Sequence, residues 1–246
     1  MAKRNRRALA LLPVLLMTGG SAWAECRTVT HLSHGYTVCD AVIGRDDLRL
    51  FLQGIDGAPF GSFERVGASI APAKLGFAMN AGMYHPDRSP VGLYLERGQE
   101  VSALVTRDGP GNFGLLPNGV FCIGAGRYRV IESRAYAEAP PDCLYASQSG
   151  PMLVIGGAQH PRFLPASPSR YIRNGVGVSA DGQTAFFAIS DARVNFTDFA
   201  SLFRDVLNTP DALYFDGSIS RLYAPELGRD DFGFAMGPVV GTVVAP

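Results

Sequence analysis

The sequence predicts an α+β domain dominated by β-structure, a mixed sheet with few helices and at least one βαβ crossover. Three observations carry this. Short apolar runs bounded by Gly, Pro, Asn and Asp recur along the chain. Its 29 glycines and 17 prolines favour a loop-rich sheet protein over a helical bundle. One stretch, Thr184 to Tyr223, reads as strand, helix and strand. It opens with the apolar run Thr184 to Ile189, closed by Ser190 and Asp191. Thr197 and Asp198 stand as helix N-cap and acidic first turn. Phe199, Leu202, Phe203, Val206 and Leu207 then follow at i, i+3, i+4, i+7 and i+8, one apolar stripe. Asn208 to Pro210 ends it, because proline cannot continue a helix. A second apolar run, Ala212 to Phe215, stops at Asp216-Gly217-Ser218. Such a unit makes its two strands parallel and places ligands beyond their carboxyl ends. Asp216 is therefore a site candidate, beside a glycine that permits close approach; initiation of an Asp-Gly turn is the competing role.

The other elements follow in order. Lys3, Arg4, Arg6 and Arg7 precede an apolar run from Ala8 to Met17, and Ala22-Trp23-Ala24 is an A-x-A cleavage site. Residues 1–24 thus read as a signal peptide, leaving a single domain over 25–246. The apolar run is too short to span a bilayer, and no lipobox precedes Cys26. The expectation is an exported, soluble protein, periplasmic or extracellular. Removing the signal leaves 18 basic against 22 acidic residues, a net charge of −4. The lack of a later basic run argues against nucleic acid or an anionic membrane as partner. Export favours pairing of the four cysteines. Of three possible connectivities, Cys26–Cys39 and Cys122–Cys143 each close a modest loop; zinc ligation lacks any CxxC spacing.

Strands are expected at Tyr36–Val38, Leu48–Leu52, Leu75–Met79, Pro90–Leu95 with a turn at Glu96–Gln99 and a return over Val101–Val105, Arg127–Ile131, Met152–Val154, Tyr171–Val178 and Gly237–Val244. His31 and His34 read as solvated side chains. Asn118-Gly119 reads as a turn signal with a structural role of its own.

Familiar catalytic signatures are missing. No GxSxG elbow stands at a strand end, there is no P-loop or GxGxxG, no HExxH, and paired cysteines provide no thiol nucleophile. What remains is a set of polar residues at strand ends beside glycines: Asn80, Asn118, Gln148, Ser149, Arg173, Asn174 and Asp216. Amides suit sugar hydroxyls, and the arginine fork suits phosphate oxygens. For Arg173 an ion pair with Asp191 is the competing role.

These residues sit in words, NAGM at Asn80, GNFGLLPNGVF at Gly111, QSGPML at Gln148, RNGVGV at Arg173 and LYFDGSIS at Leu213, that resemble the phosphodiester glycosidase family, and its compact bacterial secreted branch in particular. The resemblance implies that Asn80, Gly82, Arg173, Asp216 and Gly217 line an active site, and that the chain hydrolyses the glycosidic bond of a sugar-1-phosphodiester in an extracytoplasmic glycan or glycolipid. Arg173 would hold the phosphate. Asp216 would activate water or stabilise the cationic sugar. Asn80, Asn118, Gln148, Ser149 and Asn174, with Gly217 and Ser218, would orient the substrate. No cofactor and no metal are expected. The family's Asp-Gly-Gly-Gly-Ser is here Asp216-Gly217-Ser218-Ile219-Ser220, which bears on substrate choice. Two alternatives are a non-catalytic module for glycan binding or envelope assembly, and a phosphodiesterase cleaving P–O.

Overall fold

The computed structural model describes residues 24–246, so the expected signal peptide lies outside the described residues except for Ala24. Three antiparallel sheets build the fold. The largest runs β1 (Cys26–His31), β2 (His34–Val42), β13 (Thr184–Ser190), β12 (Asn174–Val178), β14 (Asp211–Asp216), β10 (Met152–Ile155) and β11 (Ala158–Gln159). The second runs β16 (Arg229–Asp230), β15 (Leu222–Ala224), β4 (Lys74–Asn80), β17 (Val239–Val244) and β3 (Asp47–Phe51). The third runs β6 (Gln99–Ser102), β5 (Tyr94–Glu96), β9 (Cys143–Ser149), β7 (Gly119–Gly124) and β8 (Arg127–Glu132).

Each sheet turns one face to a shared core, which explains the apolar runs. Leu48 and Leu50, Phe77 and Met79, Phe121 and Ile123, Phe187 and Ile189, and Leu213 and Phe215 all enter it at the two-residue spacing of a strand. The outer faces are covered by short helices. Helix α3 (Phe196–Ser201) and its π-helical continuation Leu202–Val206 put Phe199, Leu202 and Phe203 onto Tyr36, Val38, Leu153 and Tyr214 of the large sheet. Helix α1 (Phe63–Ser69) covers the second sheet through Phe63 and Val66. Helix α2 (Ser133–Glu138) covers the third through Tyr136. Strands buried on both faces carry near-continuous apolar sequence, as Thr184–Ile189 does.

The crossover joins β13 to β14, and the two strands run parallel because both are antiparallel to β12, which lies between them. The crossover is therefore split, and every ladder between the named strands is antiparallel, so the expected mixing does not extend to adjacent pairs. Gly177 explains how the helix fits: a Cβ there would stand 2.6 Å from a ring carbon of Phe203. The N-cap is Asn195, two residues earlier than expected, its side chain accepting the Asp198 N–H at 2.8 Å. Val206 is 38% exposed although the stripe would bury it. The change to i→i+5 bonding, seen as Leu207 N–H to the Leu202 carbonyl at 3.0 Å, rotates it off the stripe.

Cys26–Cys39 links directly paired residues of β1 and β2, and Cys122–Cys143 links β7 to β9. Arg97 and Gly98, both at positive φ, form the expected turn between β5 and β6. Asn118-Gly119 forms no hairpin; Gly119 opens β7 and Asn118 is buried. His31 and His34 are partly buried, His31 Nε2 lying 2.8 Å from Ser201 Oγ and His34 Nε2 3.8 Å from an Asp198 carboxylate oxygen. No helix of the described residues is long and apolar enough to cross a membrane.

Candidate active site

The carboxyl ends of β4, β9 and β14 and the amino ends of β7 and β12 meet at one place. At its centre two asparagines join two sheets. Asn80 Nδ2 donates to Asn174 Oδ1 at 3.2 Å, and Asn174 Nδ2 donates to Asn80 Oδ1 at 3.0 Å and to the Asn80 carbonyl at 2.8 Å. Asn174 Oδ1 also accepts from the Asp216 N–H at 3.2 Å and from Ser220 Oγ at 3.3 Å, while Asn80 Oδ1 accepts from the Arg221 N–H at 2.9 Å. Both asparagines are fully buried. Buried amides hold position only when their partners are present, and here each supplies the other's.

The third sheet is tied in by two serines. Ser147 Oγ donates to the Ala81 carbonyl at 2.6 Å, and Ser149 Oγ to the Phe215 carbonyl at 2.8 Å. Gly82, at φ +151°, lies against this junction. Gln148 is spent on structure. Its Oε1 accepts the Leu93 and Val105 N–H groups, each at 3.0 Å, and its Nε2 donates to the Val105 carbonyl at 2.6 Å and to Ser133 Oγ at 2.8 Å. No capacity remains for substrate. Asn118 Nδ2 donates to the Phe113 carbonyl at 2.9 Å, and its Oδ1 is buried without a hydrogen-bond partner.

Asp216 ends β14 and is 8% exposed. Burial raises its pKa above the ordinary 3.8, with partial opposition from the Ser218, Gly217 and Ile219 N–H groups. Its Oδ1 accepts from Gly217 at 2.6 Å and Ser218 at 2.9 Å, so the carboxylate also organises the turn. The two expected roles therefore coexist in one side chain. Gly217 is required there, because a Cβ would stand 2.0 Å from the Tyr214 hydroxyl.

Arg173 lies deeper than a phosphate-holding role needs. Its guanidinium stacks 3.6 Å from the Phe196 ring centroid, with Tyr214 at 5.3 Å and Tyr171 at 5.5 Å. Nε donates to the Val194 carbonyl at 2.9 Å and Nη2 to the Ser169 carbonyl at 3.0 Å. The residue is completely buried, which depresses its pKa, Tyr214 partly offsetting this. Arg173 Nη1 and the Tyr214 hydroxyl are both buried without a hydrogen-bond partner. Direct contact with a substrate phosphate is thus closed to Arg173 in this arrangement, because Tyr214 and Phe196 wall it off. Asp191, its expected alternative partner, pairs instead with Arg229 at 3.0 Å.

Two neighbours escaped the sequence reading. The phenol of Tyr84 is pushed up in pKa by burial and then by the Asp216 charge. Arg221 has its guanidinium against the Phe234 carbonyl. It lines an open cleft of about 390 Å³ with Ser220, Asp191, Arg229, Asp231 and Phe232. Ser220 joins cleft to site, its Oγ donating to the Asp216 carbonyl at 2.8 Å. A second cleft of about 580 Å³ lies beyond Tyr84, among His85, Arg88, Val91 and Val105. Among the described residues, no group of three or more His, Cys, Asp or Glu side chains is placed to hold a metal ion.

Buried strand-end amides and one buried carboxylate thus meet at a junction of three sheets, and Ser220 links that junction to the open cleft beside it. Residues 73–232 match the sequence model of the phosphodiester glycosidase family. The chain belongs to that family. It is 34% identical over 222 residues to the uncharacterized protein YigE of Escherichia coli (strain K12), covering 90% of this chain and 85% of that protein. Its fold is similar to that of the zebrafish N-acetylglucosamine-1-phosphodiester alpha-N-acetylglucosaminidase catalytic domain auto-inhibited by its pro-peptide. The TM-score is 0.60 at 14% identity, covering 92% of this chain and 84% of that one. The two disulfides fit an extracytoplasmic location.

Proposed function

We propose that this chain is an exported hydrolase, one domain over 25–246 freed of its signal peptide, that cleaves the glycosidic bond of a sugar-1-phosphodiester in an extracytoplasmic glycan or glycolipid. The observation that carries the reading is Asp216: a buried carboxylate of raised pKa, held at the junction of three sheets in a chain of the phosphodiester glycosidase family. In the reaction, water oxygen bonds to the anomeric carbon as the bond from that carbon to the phosphate oxygen breaks. The bonding electrons leave with the phosphate monoester, and the water proton passes to Asp216. A phosphate monoester is a better leaving group than an alcohol, so the second carboxylate of ordinary glycosidases is less needed.

Arg173 then acts from behind the floor, its positive charge reaching the site through Tyr214 and Gly217, while Arg221, 6% exposed with its guanidinium against the Phe234 carbonyl, is the cation at the edge of the open cleft that would meet the phosphate. Asn80 and Asn174 position the Asp216 backbone. Gly82, Asn118, Ser149, Gly217 and Ser218 shape the surrounding wall. Hydrolysis of a panel of sugar-1-phosphodiesters in oxygen-18 water tests this. Label in the sugar for the wild type, with no turnover by Asp216→Asn, supports it. Label in the phosphate makes the protein a phosphodiesterase. A second reading, a glycan-binding module without turnover, draws on the engagement of Asp216 Oδ1 in its own turn; binding without turnover in both forms would establish it.

A further inference from the structure

The cleft of about 580 Å³ beyond Tyr84 has no task in the proposed hydrolysis, although its volume is that of a small-molecule pocket. Its polarity is divided by segment. The turn from His85 to Ser89 carries every charged group of the lining. The remaining walls are largely aliphatic: Leu52 just after β3, Val91 before β5, Val101 in β6 and Val105 beyond it.

The turn keeps its shape under strain. Tyr84 and Pro90 form a bridge across its base, and the Val91 N–H donates to the Met83 carbonyl at 3.1 Å. The His85 N–H donates to the Ser89 carbonyl and the Arg88 N–H to the His85 carbonyl, each at 2.8 Å. So tight a closure sets Arg88 at φ +75°, in the left-handed region that a residue with a Cβ enters unfavourably. Glycine would fit there with less strain, yet the chain carries an arginine. Strain of this kind persists where function requires a particular side chain.

What the strain secures is the place of the guanidinium, half-buried and 5.4 Å from the Tyr84 ring centroid. The ring face engages its charge and none of its five N–H donors. Among the described residues no ion pair involves Arg88. Asp87, the one carboxylate of the lining, accepts instead from the Ser89 N–H at 3.0 Å and Ser89 Oγ at 2.6 Å. A fork-shaped cation therefore stands free at the polar end of an aliphatic cleft. The fork matches an oxyanion. The walls match a hydrocarbon chain, because hydroxyls or amides laid against them would go unpaired.

We propose that this cleft is a second binding site, for an amphiphile made of an aliphatic chain ended by a carboxylate or a phosphate. The head sits on Arg88 and the chain lies along Leu52, Val91, Val101 and Val105. The site does not rest on the hydrolytic reading and gives the chain a ligand-binding activity separate from Asp216.

The test is calorimetric titration of the mature chain with decanoate and with decyl phosphate, both kept below micelle formation. Decyltrimethylammonium, of equal chain length and opposite charge, is the control. At least one anion binds with a Kd below about 1 mM and about tenfold or more tighter than the cation. Decanoate as the tighter ligand identifies a free fatty acid as the source, and decyl phosphate a phosphate ester lipid. Arg88→Gly suits the left-handed backbone, so the turn persists while the guanidinium goes. Its Kd for the better anion rises about tenfold, the scale of one charge-assisted contact, with Tm at or above that of wild type. In methyl-resolved NMR the shifts on binding fall on Val91, Val101 and Val105. No binding by either anion, equal binding of the cation, unchanged affinity in Arg88→Gly, or shifts confined to other methyls overturns the proposal. Should Arg88→Gly melt below wild type, Val101→Glu decides at a position that is 50% exposed. A carboxylate on that wall repels the same head and weakens binding about tenfold, and unchanged affinity overturns the proposal again.

Discussion

Replacing Asn174 by alanine tests the cross-sheet amide pair directly. The substitution removes the acceptor used by Asn80 Nδ2 and by the Asp216 N–H, and the donor used by the Asn80 carbonyl. Ser220 Oγ keeps other acceptors in the Ile172 and Asp216 carbonyls. Two buried donors are therefore orphaned, at about 1–3 kcal/mol each, which sums to roughly 2–6 kcal/mol. Against a total stability of about 5–15 kcal/mol, that is a large share. For a chain of this size a loss of about 4 kcal/mol lowers Tm by roughly 8–16 °C. The assay is urea unfolding with disulfides intact, where the midpoint falls at unchanged slope. The Asn80→Ala change alone costs a similar amount, and the double variant costs less than the sum, a coupling of about 1–3 kcal/mol. A single-variant loss below about 1 kcal/mol, or strict additivity, would refute the claim that this pair pins the sheets.

Gly217→Ala forces a methyl group to within 2.0 Å of the Tyr214 hydroxyl, so Tm falls by roughly 4–12 °C, and adding Tyr214→Phe recovers most of the loss because the offending oxygen is gone. Between the ordinary aspartate value of 3.8 and the raised value of folded Asp216, the native state binds more protons than the unfolded state, so this group's contribution falls as pH rises through that window. Asp216→Asn is therefore more stable than wild type in urea at pH 7, and the difference closes below pH 3.8; a constant difference across pH would count against a buried ionised carboxylate. The acid limb of the wild-type kcat/KM profile lies above the ordinary aspartate range for the same reason, as a pH–rate titration shows. Replacing Cys122 and Cys143 by alanine opens a loop whose ends are 21 residues apart and costs about 3 kcal/mol in a guanidinium melt.

What the sequence discloses divides by range. The strands that build the shared core were legible because Phe77 and Met79, or Phe187 and Ile189, enter it at the two-residue spacing. The disulfides were legible because each joins neighbouring strands close in sequence. The crossover was legible as a unit, yet the insertion of β12 between its strands was not, since lateral order in a sheet is set by non-local pairing. The cap shows a smaller version of this: Asn195 and Thr197 are both good caps, and Asn195 took the position with Asp198 three residues on. Gln148 stood out as a polar residue in an apolar run. Its partners Leu93 and Val105 lie 55 and 43 residues away, so its structural duty was invisible. Arg173 is legible as a candidate, but its enclosure brings Phe196 and Tyr214 from separate segments onto it beside the neighbouring Tyr171. Tyr84 and Arg221 sat within two residues of quoted motifs, and that adjacency was the available signal.

Joining Asn80 to Asn174 has a further result for how the protein breathes. The Asp216 amide hydrogen ends on an oxygen that belongs to the core. It can exchange with solvent only when the sheets part, so its protection should approach that of the whole molecule's unfolding. The floor and the core form one cooperative unit.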